Sequence, residues 1–212
     1  MSASFPSRDR PRIVLASGNA GKLAEFAALF APTGIDIIPQ AQLGIAGAVE
    51  SGATFVANAT LKARHAAARA ALPALADDSG LEVDWLAGAP GVRSARYAGE
   101  GATDAANIAR LLDELRARSA PFGPDVRARF RCAIVLVRSA DDPSPCVAEG
   151  LWEGYIIDTP RGTAGFGYDP IFVDAATGRT AAELPAAEKN RRSHRAQALA
   201  ALLAALPDWM RR

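Results

Sequence analysis

IVLASGNAGKLAEFAALF, residues 13–30, opens on the apolar run Ile13-Val14-Leu15, turns at Ser17-Gly18-Asn19, and continues with Leu23, Phe26, Leu29 and Phe30 at helical spacing. A short apolar run giving way to a period of 3.6 across a glycine turn predicts a strand, a loop and a helix, the unit of an α/β fold. Pro32 and Gly34 close that helix, and Ile35 to Ile38 predicts the next strand. Gly44, Gly47 and Gly52 punctuate a loop, Thr54 is the expected N-cap of a helix through Leu72, and Pro73 ends it.

The alternation persists toward the C-terminus. Leu75-Ala76 leads into Asp77-Asp78-Ser79-Gly80, and Leu81, Val83, Trp85 and Leu86 follow in strand fashion, which puts the acids at a strand's end or in a turn. Asp104 is the expected cap of a helix through Leu115, and Pro121, Gly123 and Pro124 mark a loop before a strand from Phe130 to Val137. Asp141-Asp142-Pro143-Ser144-Pro145 predicts a solvated turn joining it, as a hairpin, to a strand from Val147. The glycine-rich Gly162 to Gly167 precedes Tyr168 to Phe172, and a capped helix runs from Ser193 to Leu206. Without repeats or long linkers, the pattern predicts one α/β domain with a mixed sheet over 13–212, preceded by a flexible tail at 1–12.

Composition narrows the function classes. At roughly 150 residues per domain, 212 residues make one domain, with room for two lobes. The chain carries 24 Lys plus Arg against 23 Asp plus Glu, a formal net charge of +1, so no protein-wide field draws it to nucleic acid or to an anionic membrane. An anionic ligand must be met locally. No run approaches the roughly 18 apolar residues of a membrane span. Cys132 and Cys146 stand outside any CxxC, with no histidine nearby, which predicts neither a zinc site nor a disulfide framework and suits a reducing cytoplasm.

Four segments concentrate the chemistry. Ser17, Gly18, Asn19, Ala20, Gly21 and Lys22 form a strand-to-helix turn whose amides, helix N-terminus and lysine suit phosphate, although an ordinary glycine turn looks the same. It is not a Walker A loop, because Leu23 stands where that motif needs Ser or Thr. Asn58 and Lys62, four apart, share a helix face onto which the loop residue Glu50 can fold, giving a metal ligand and an anion contact or else a solvated polar face. Asp77-Asp78-Ser79 follows an apolar run, and its paired carboxylates suit a hard cation such as Mg²⁺ or Mn²⁺. Phe166-Gly167-Tyr168-Asp169, with Lys189, His194 and Arg195, combines an aromatic to stack a base, glycines for close approach, and donors. His65, set among alanines, reads as packed or solvent-facing.

LASGNAGKLAEF at 15–26, ESGATFVANATLKA at 50–63, ADDSGLEVDWLAGAPGVRSARYAG at 76–99, GFGYDPIF at 165–172 and AAELPAAEKNRRSHRAQAL at 181–199 occur in order. Together they resemble the inosine/xanthosine triphosphate pyrophosphatase family, which hydrolyses non-standard purine nucleoside triphosphates to monophosphate and pyrophosphate. The resemblance implies an elongated mixed β-sheet flanked by helices, with two lobes around a central cleft, a homodimer and a Mg²⁺ requirement. It places the phosphate-gripping turn on Ser17 to Lys22, the metal-linked glutamate on Glu50, and the general base and metal ligand on Asp78 with Asp77 in support. Substrate contacts fall on Ser79, Phe166 to Asp169, Lys189, His194 and Arg195. Arg195 or His194, donating to a purine O6, would favour hypoxanthine and xanthine over adenine. Two alternatives stay open: a house-cleaning pyrophosphatase for other modified nucleotides, set apart by substrate profile, and a non-catalytic purine nucleotide-binding module, set apart by pyrophosphate release.

Overall fold

The structure, a computed structural model, describes residues 10–210. A mixed sheet of six strands lies at its centre in the spatial order β2-β1-β3-β4-β5-β6. The strands are β1 Arg12–Leu15, β2 Asp36–Pro39, β3 Ala74–Val83, β4 Gly123–Val137, β5 Cys146–Ile156 and β6 Phe172–Asp174. β1 runs parallel to β2 and β3, and the remaining pairs are antiparallel. Five α-helices flank the sheet: α1 Ala20–Phe30, α2 Phe55–Ala70, α3 Asp104–Ala117, α4 Ala186–Arg192 and α5 His194–Met210. The fold is the expected α/β class with a mixed sheet.

Three apolar clusters divide the sheet along its length. On one face, Phe26 and Phe30 of α1 and Leu199 and Leu202 of α5 pack on Leu15, Leu75, Ile134 and Leu136. On the other, Ala59, Ala63, Ala66 and Ala67 of α2 pack on Val14, Ala76, Val135 and Val137, small side chains that let the helix lie close to the strands. The third cluster joins Leu111, Leu112 and Leu115 of α3 to Leu81, Val83, Phe130, Trp152, Ile156 and Phe172. The first two clusters make one lobe and the third makes the other, and β3, β4 and β5 run through both.

On β3 the change of lobe falls on Asp77-Asp78-Ser79-Gly80. β1 pairs with β3 only through Val14 with Ala74 and Leu15 with Leu75, so from Ala76 to Gly80 the edge of β3 away from β4 is open, before Glu82 bridges to Pro90. Leu75 C=O accepts from Ala16 N–H at 2.8 Å and Leu81 N–H donates to Ser94 Oγ at 2.9 Å on that side. Because a residue in an antiparallel ladder sends its N–H and C=O the same way, and its neighbours send theirs the other way, Asp77 and Ser79 also turn their backbone groups to the open edge.

Several boundaries differ from the sequence reading. The break in apolar pattern at Asp77 reads as a strand end, yet β3 continues through it, pairing Asp77 with Ile134 and Asp78 with Ala133, because both carboxylates find cations on their own faces. β4 begins at Gly123 rather than Phe130. Thr103, not Asp104, caps α3, its Oγ1 accepting from Ala106 N–H at 3.2 Å. Asp141 is exposed as a solvated turn requires, but Asp142 is buried and accepts from the N–H groups of Arg138 and Ser144, both at 2.9 Å, so it organises the hairpin. Of the expected tail, residues 1–9 lie outside the described residues, while Pro11 C=O accepts from Asp36 N–H and Arg12 opens β1. Among the described residues no helix is long and apolar enough to cross a membrane, and both cysteines are buried.

α5 comes closest to the sheet at Gly150 of β5, where a Cβ would collide with the His194 carbonyl oxygen and the Ala198 amide. Backbone cannot yield as a flexible side chain does. Gly150→Ala is therefore expected to destabilise the fold by about 2 kcal/mol, read as a lower urea midpoint at unchanged slope.

Candidate active site

Successive side chains of a strand leave opposite faces of the sheet, so adjacent acids in β3 serve different surroundings. Asp77 projects toward α1 and α5, where Lys22 Nζ lies 2.8 Å and Arg195 Nε 3.5 Å from its Oδ2, and Ser79 Oγ donates to the same oxygen at 3.0 Å. Asp78 projects toward α2, where Lys62 Nζ lies 3.1 Å from Oδ1 and Asn58 Nδ2 donates to Oδ2 at 3.1 Å. The reading of the two as joint holders of one cation is thereby corrected. Asp78 faces Glu50, and Asp77 is a counter-ion for two basic side chains.

Asn58 is fully buried, and its Oδ1 accepts from Gly52 N–H at 2.7 Å while its amide holds Asp78. One side chain thus fixes both the carboxylate and the loop that carries Glu50. Lys62 Nζ sits between the two acids, 2.9 Å from Glu50 Oε1, and Arg96 Nη1 reaches Glu50 Oε2 at 3.4 Å from the other lobe. Among the described residues no group of three His, Cys, Asp or Glu gathers for a metal. Glu50 and Asp78 supply oxygen donors only, which fits Mg²⁺ or Mn²⁺, ions that complete their shell with water and phosphate oxygens.

Ser17, Gly18, Asn19 and Lys22 of the turn line the same pocket as Glu50, Asp78 and Ser79. Asn19 caps α1, its Oδ1 accepting from Lys22 N–H at 3.0 Å, and the first amides of a helix have no partner within it. Gly21 is needed for packing, since a Cβ there would stand 2.7 Å from the Phe166 ring. That contact brings the glycine turn at 165–167 against the turn of α1. Arg195 and Lys189 lie 5.5 and 5.3 Å from the Phe166 ring centre, and Lys189 Nζ binds Asp169 Oδ2 at 2.6 Å.

Two aromatic candidates separate in role. Phe166 is half-buried at the pocket wall, whereas Tyr168 is buried and its hydroxyl donates to Ser94 C=O at 2.9 Å, tying the turn to the segment after β3. His194 stacks on Phe130 with ring centres 4.9 Å apart. Its burial, with Arg195 and Lys189 nearby, pushes its pKa well down, so the ring is neutral at pH 7. Arg195 is committed to Glu25, to Ser79 Oγ at 3.0 Å and to Asp77. His65 Nε2 lies 3.0 Å from Ala46 C=O, pinning a loop rather than entering the site.

Burial alone would raise the Asp77 carboxyl, but Lys22, Arg195 and Lys62 overrule it and hold it well below the usual carboxylate range. For Asp78 burial prevails, with Glu50 adding to it against Lys62 and Lys22, so its carboxyl is raised. Burial, with Asp77 adjacent, pushes the Cys132 thiol up to about 12, leaving an inert group under the site.

One pocket is lined by Ser17, Gly18, Asn19, Lys22, Glu50, Lys62, Asp78, Ser79, Phe166 to Asp169, Lys189, His194 and Arg195, whereas Ala20, Gly21, Asn58 and Asp77 are not on its lining, and the structure adds residues that the sequence left unassigned. Glu25, Arg96, Ser94, Asp104 and Asn107 all touch the site or its supports. Arg96 and Ser94 lie inside the quoted motif at 76–99, whose length was a signal, and Glu25 lies inside the motif at 15–26. Asp104 and Asn107 carried none beyond a helix start.

The sequence model of the Ham1 family matches residues 13–205. The chain is 57% identical over 211 residues to a dITP/XTP pyrophosphatase of Burkholderia pseudomallei, covering 98% of this chain and 99% of that one. It is 54% identical to the dITP/XTP pyrophosphatase of Escherichia coli O157:H7, covering 92% and 98% of the two chains. Among solved structures, a HAM1 protein from Coxiella burnetii superposes with a TM-score of 0.85 at 50% identity, covering 93% of this chain and 99% of that one.

Removing the Asp77 charge leaves the largely buried Lys22 and the buried Arg195 without the carboxylate they share. Asp77→Asn is expected to cost about 3 kcal/mol of stability at pH 7. A carboxyl depressed in the folded state stabilises fully above its unfolded value near 3.8 and loses that contribution as pH falls below it. Unfolding free energies measured from pH 6 to pH 2 should therefore show the gap between wild type and variant closing below about pH 4.

Proposed function

The chain belongs to the Ham1 family, and on that premise we propose that it hydrolyses non-standard purine nucleoside triphosphates, ITP, dITP and XTP, to the monophosphate and pyrophosphate. The observation that carries this reading is Asp78: a buried carboxyl of raised basicity, held by Asn58 and Lys62 at the open edge of β3, facing Glu50. A general base needs a fixed position and a pKa lifted toward the working pH.

In the proposed reaction a water oxygen attacks the α-phosphorus and its proton passes to Asp78. The bond to the α,β-bridging oxygen breaks and pyrophosphate leaves. Lys22, Lys62 and the amides at the start of α1 face the charge that gathers on the phosphate oxygens. Glu50 and Asp78 would hold a Mg²⁺ or Mn²⁺ ion, which when bound supplies further neutralisation of those oxygens. Asp77 holds Lys22 and Arg195 in place without touching the reacting atoms. Ser79 stands at the junction of the two.

At the other end of the pocket Phe166 stacks the base, with Gly167, Tyr168, Asp169 and Lys189 shaping the turn around it. The neutral His194 is the donor proposed at the purine O6, where adenine offers an amino group instead. Arg195, held by Glu25, Asp77 and Ser79, orients rather than reads the base. Guanine shares O6, and its exclusion is assigned to the extra amino group, which a tight, donor-lined pocket would leave clashing or unpaired. A cytoplasmic location and a homodimer belong to the same reading and rest on family membership.

Pyrophosphate release with Mg²⁺ should show kcat/KM for ITP, dITP and XTP far above that for ATP and GTP; equal values for all five would overturn the base assignment. A profile favouring modified pyrimidines would move the protein to the house-cleaning class. Asp78→Asn should lower kcat about a thousandfold at near wild-type unfolding midpoint, and undiminished turnover by the pure variant would remove Asp78 from the role of base. The acid limb of wild-type kcat/KM should lie above pH 3.8, the ordinary value for an aspartate, because rate is lost as the raised carboxyl takes up its proton.

A further inference from the structure

The turn that presents Phe166 lies between Gly165 and Gly167, both in the left-handed region at φ 81° and 62°. Such a turn has little backbone restraint of its own. Two carboxylates hold its amides. Asp169 Oδ2 accepts from Phe166 N–H at 2.9 Å, and Asp104 Oδ2 accepts from Gly167 N–H at 2.7 Å. Asp169 belongs to the same segment and is braced by Lys189. Asp104 comes from 63 residues earlier, in the first turn of α3.

Asp104 is free for this contact because Thr103 already caps α3. Asn107, one turn further on and buried, accepts from Ala98 N–H at 2.8 Å and donates to Ala95 C=O at 3.2 Å, which fixes the chain leading into the helix. Ser94, on that chain, accepts from Leu81 N–H of β3 through its hydroxyl and from the Tyr168 hydroxyl through its carbonyl. The Asp104 carboxylate therefore hangs from a rigid support and lines the pocket beside Phe166 and Gly167.

We propose that Asp104 is a positioning residue for purine recognition, setting the pose of the Phe166 ring through its hydrogen bond to Gly167 N–H. The inference rests on the pyrophosphatase reading above. It assigns Asp104 to the base end of the substrate alone, with no part in the chemistry at phosphorus.

The test compares wild type, Asp104→Ala and Asp104→Asn for ITP and ATP hydrolysis, for competitive inhibition by pyrophosphate, which has no base, and for unfolding midpoint. Asp104→Ala should raise KM for ITP about tenfold, the effect of one charge-assisted hydrogen bond, with kcat changed no more than about twofold. Its preference for ITP over ATP should fall, while pyrophosphate inhibition and the unfolding midpoint stay near wild type. Asp104→Asn, which keeps an acceptor oxygen, should recover most of the ITP affinity. Wild-type KM and selectivity in Asp104→Ala would overturn the proposal. So would an equal loss of ITP and pyrophosphate affinity, or a drop in unfolding midpoint that accounts for the change, since a purely structural acid at a helix start would give those. Absence of ITP hydrolysis by the wild type is a separate outcome, which removes the functional reading and this inference with it.

Discussion

A carboxylate in the middle of a β-strand must find its cation on its own face of the sheet, and two in succession must find one on each. In β3 this requirement falls on Asp77 and Asp78, and the surrounding helices are placed to meet it. Lys22 in the first turn of α1 and Arg195 in the first turn of α5 reach Asp77 from one side. Lys62, in the second turn of α2, reaches Asp78 from the other. The N-terminal ends of α1 and α5 thus converge on one stretch of strand, and their dipoles add positive potential to that of the side chains.

Such pairs are poor devices for stability, because stripping water from two charges offsets most of their attraction. Their value lies in a balanced charge that can be rearranged. Lys22 has Asp77, Lys62 has Asp78 and Glu50, Arg195 has Glu25, and Lys189 has Asp169 and Glu25. In the proposed function a polyanion entering the pocket would exchange partners with cations already in place, and no lysine would have to be carried in from solvent. The near-neutral composition, 24 basic against 23 acidic residues, reflects this local pairing and is compatible with a highly charged small ligand.

What could be seen in sequence follows the range of the interactions. Strand, turn and helix at 13–30 were legible because their signals are local: an apolar run, the Ser17-Gly18-Asn19 turn, apolar residues at helical spacing. The chemistry-bearing residues were legible by type and by motif. The continuity of β3 was not, since a run of Asp-Asp-Ser-Gly lacks apolar alternation and its cations lie on remote segments. Nor was the division of labour between Asp77 and Asp78, which depends on strand period once the strand is known to continue. Asp142 shows the converse: a Pro/Ser-rich turn reads as solvated, and the burial of its acid is set by backbone amides that no pattern displays. Glu25, Arg96 and Asp104 act through partners 170, 46 and 63 residues away, so their roles appear only when the chain is folded.

The cleft itself originates in the shortness of β1. That strand ends at Leu15, where Ala16 makes its last bond to Leu75 and Ser17-Gly18-Asn19 turns the chain into α1. Parallel pairing continued to Asn19 would lay backbone along Asp77 and Ser79 and close the edge of β3. The turn that stops the strand therefore also opens the site, and its own amides, at the start of a helix, become the wall of the opening. Gly21 completes the arrangement by letting Phe166 lie against that wall, so the surface proposed for phosphate and the ring proposed for the base share one contact. The proposed phosphate grip and base stack are thereby set at a fixed separation by packing, and a ligand that satisfied one without matching that spacing would forfeit the other.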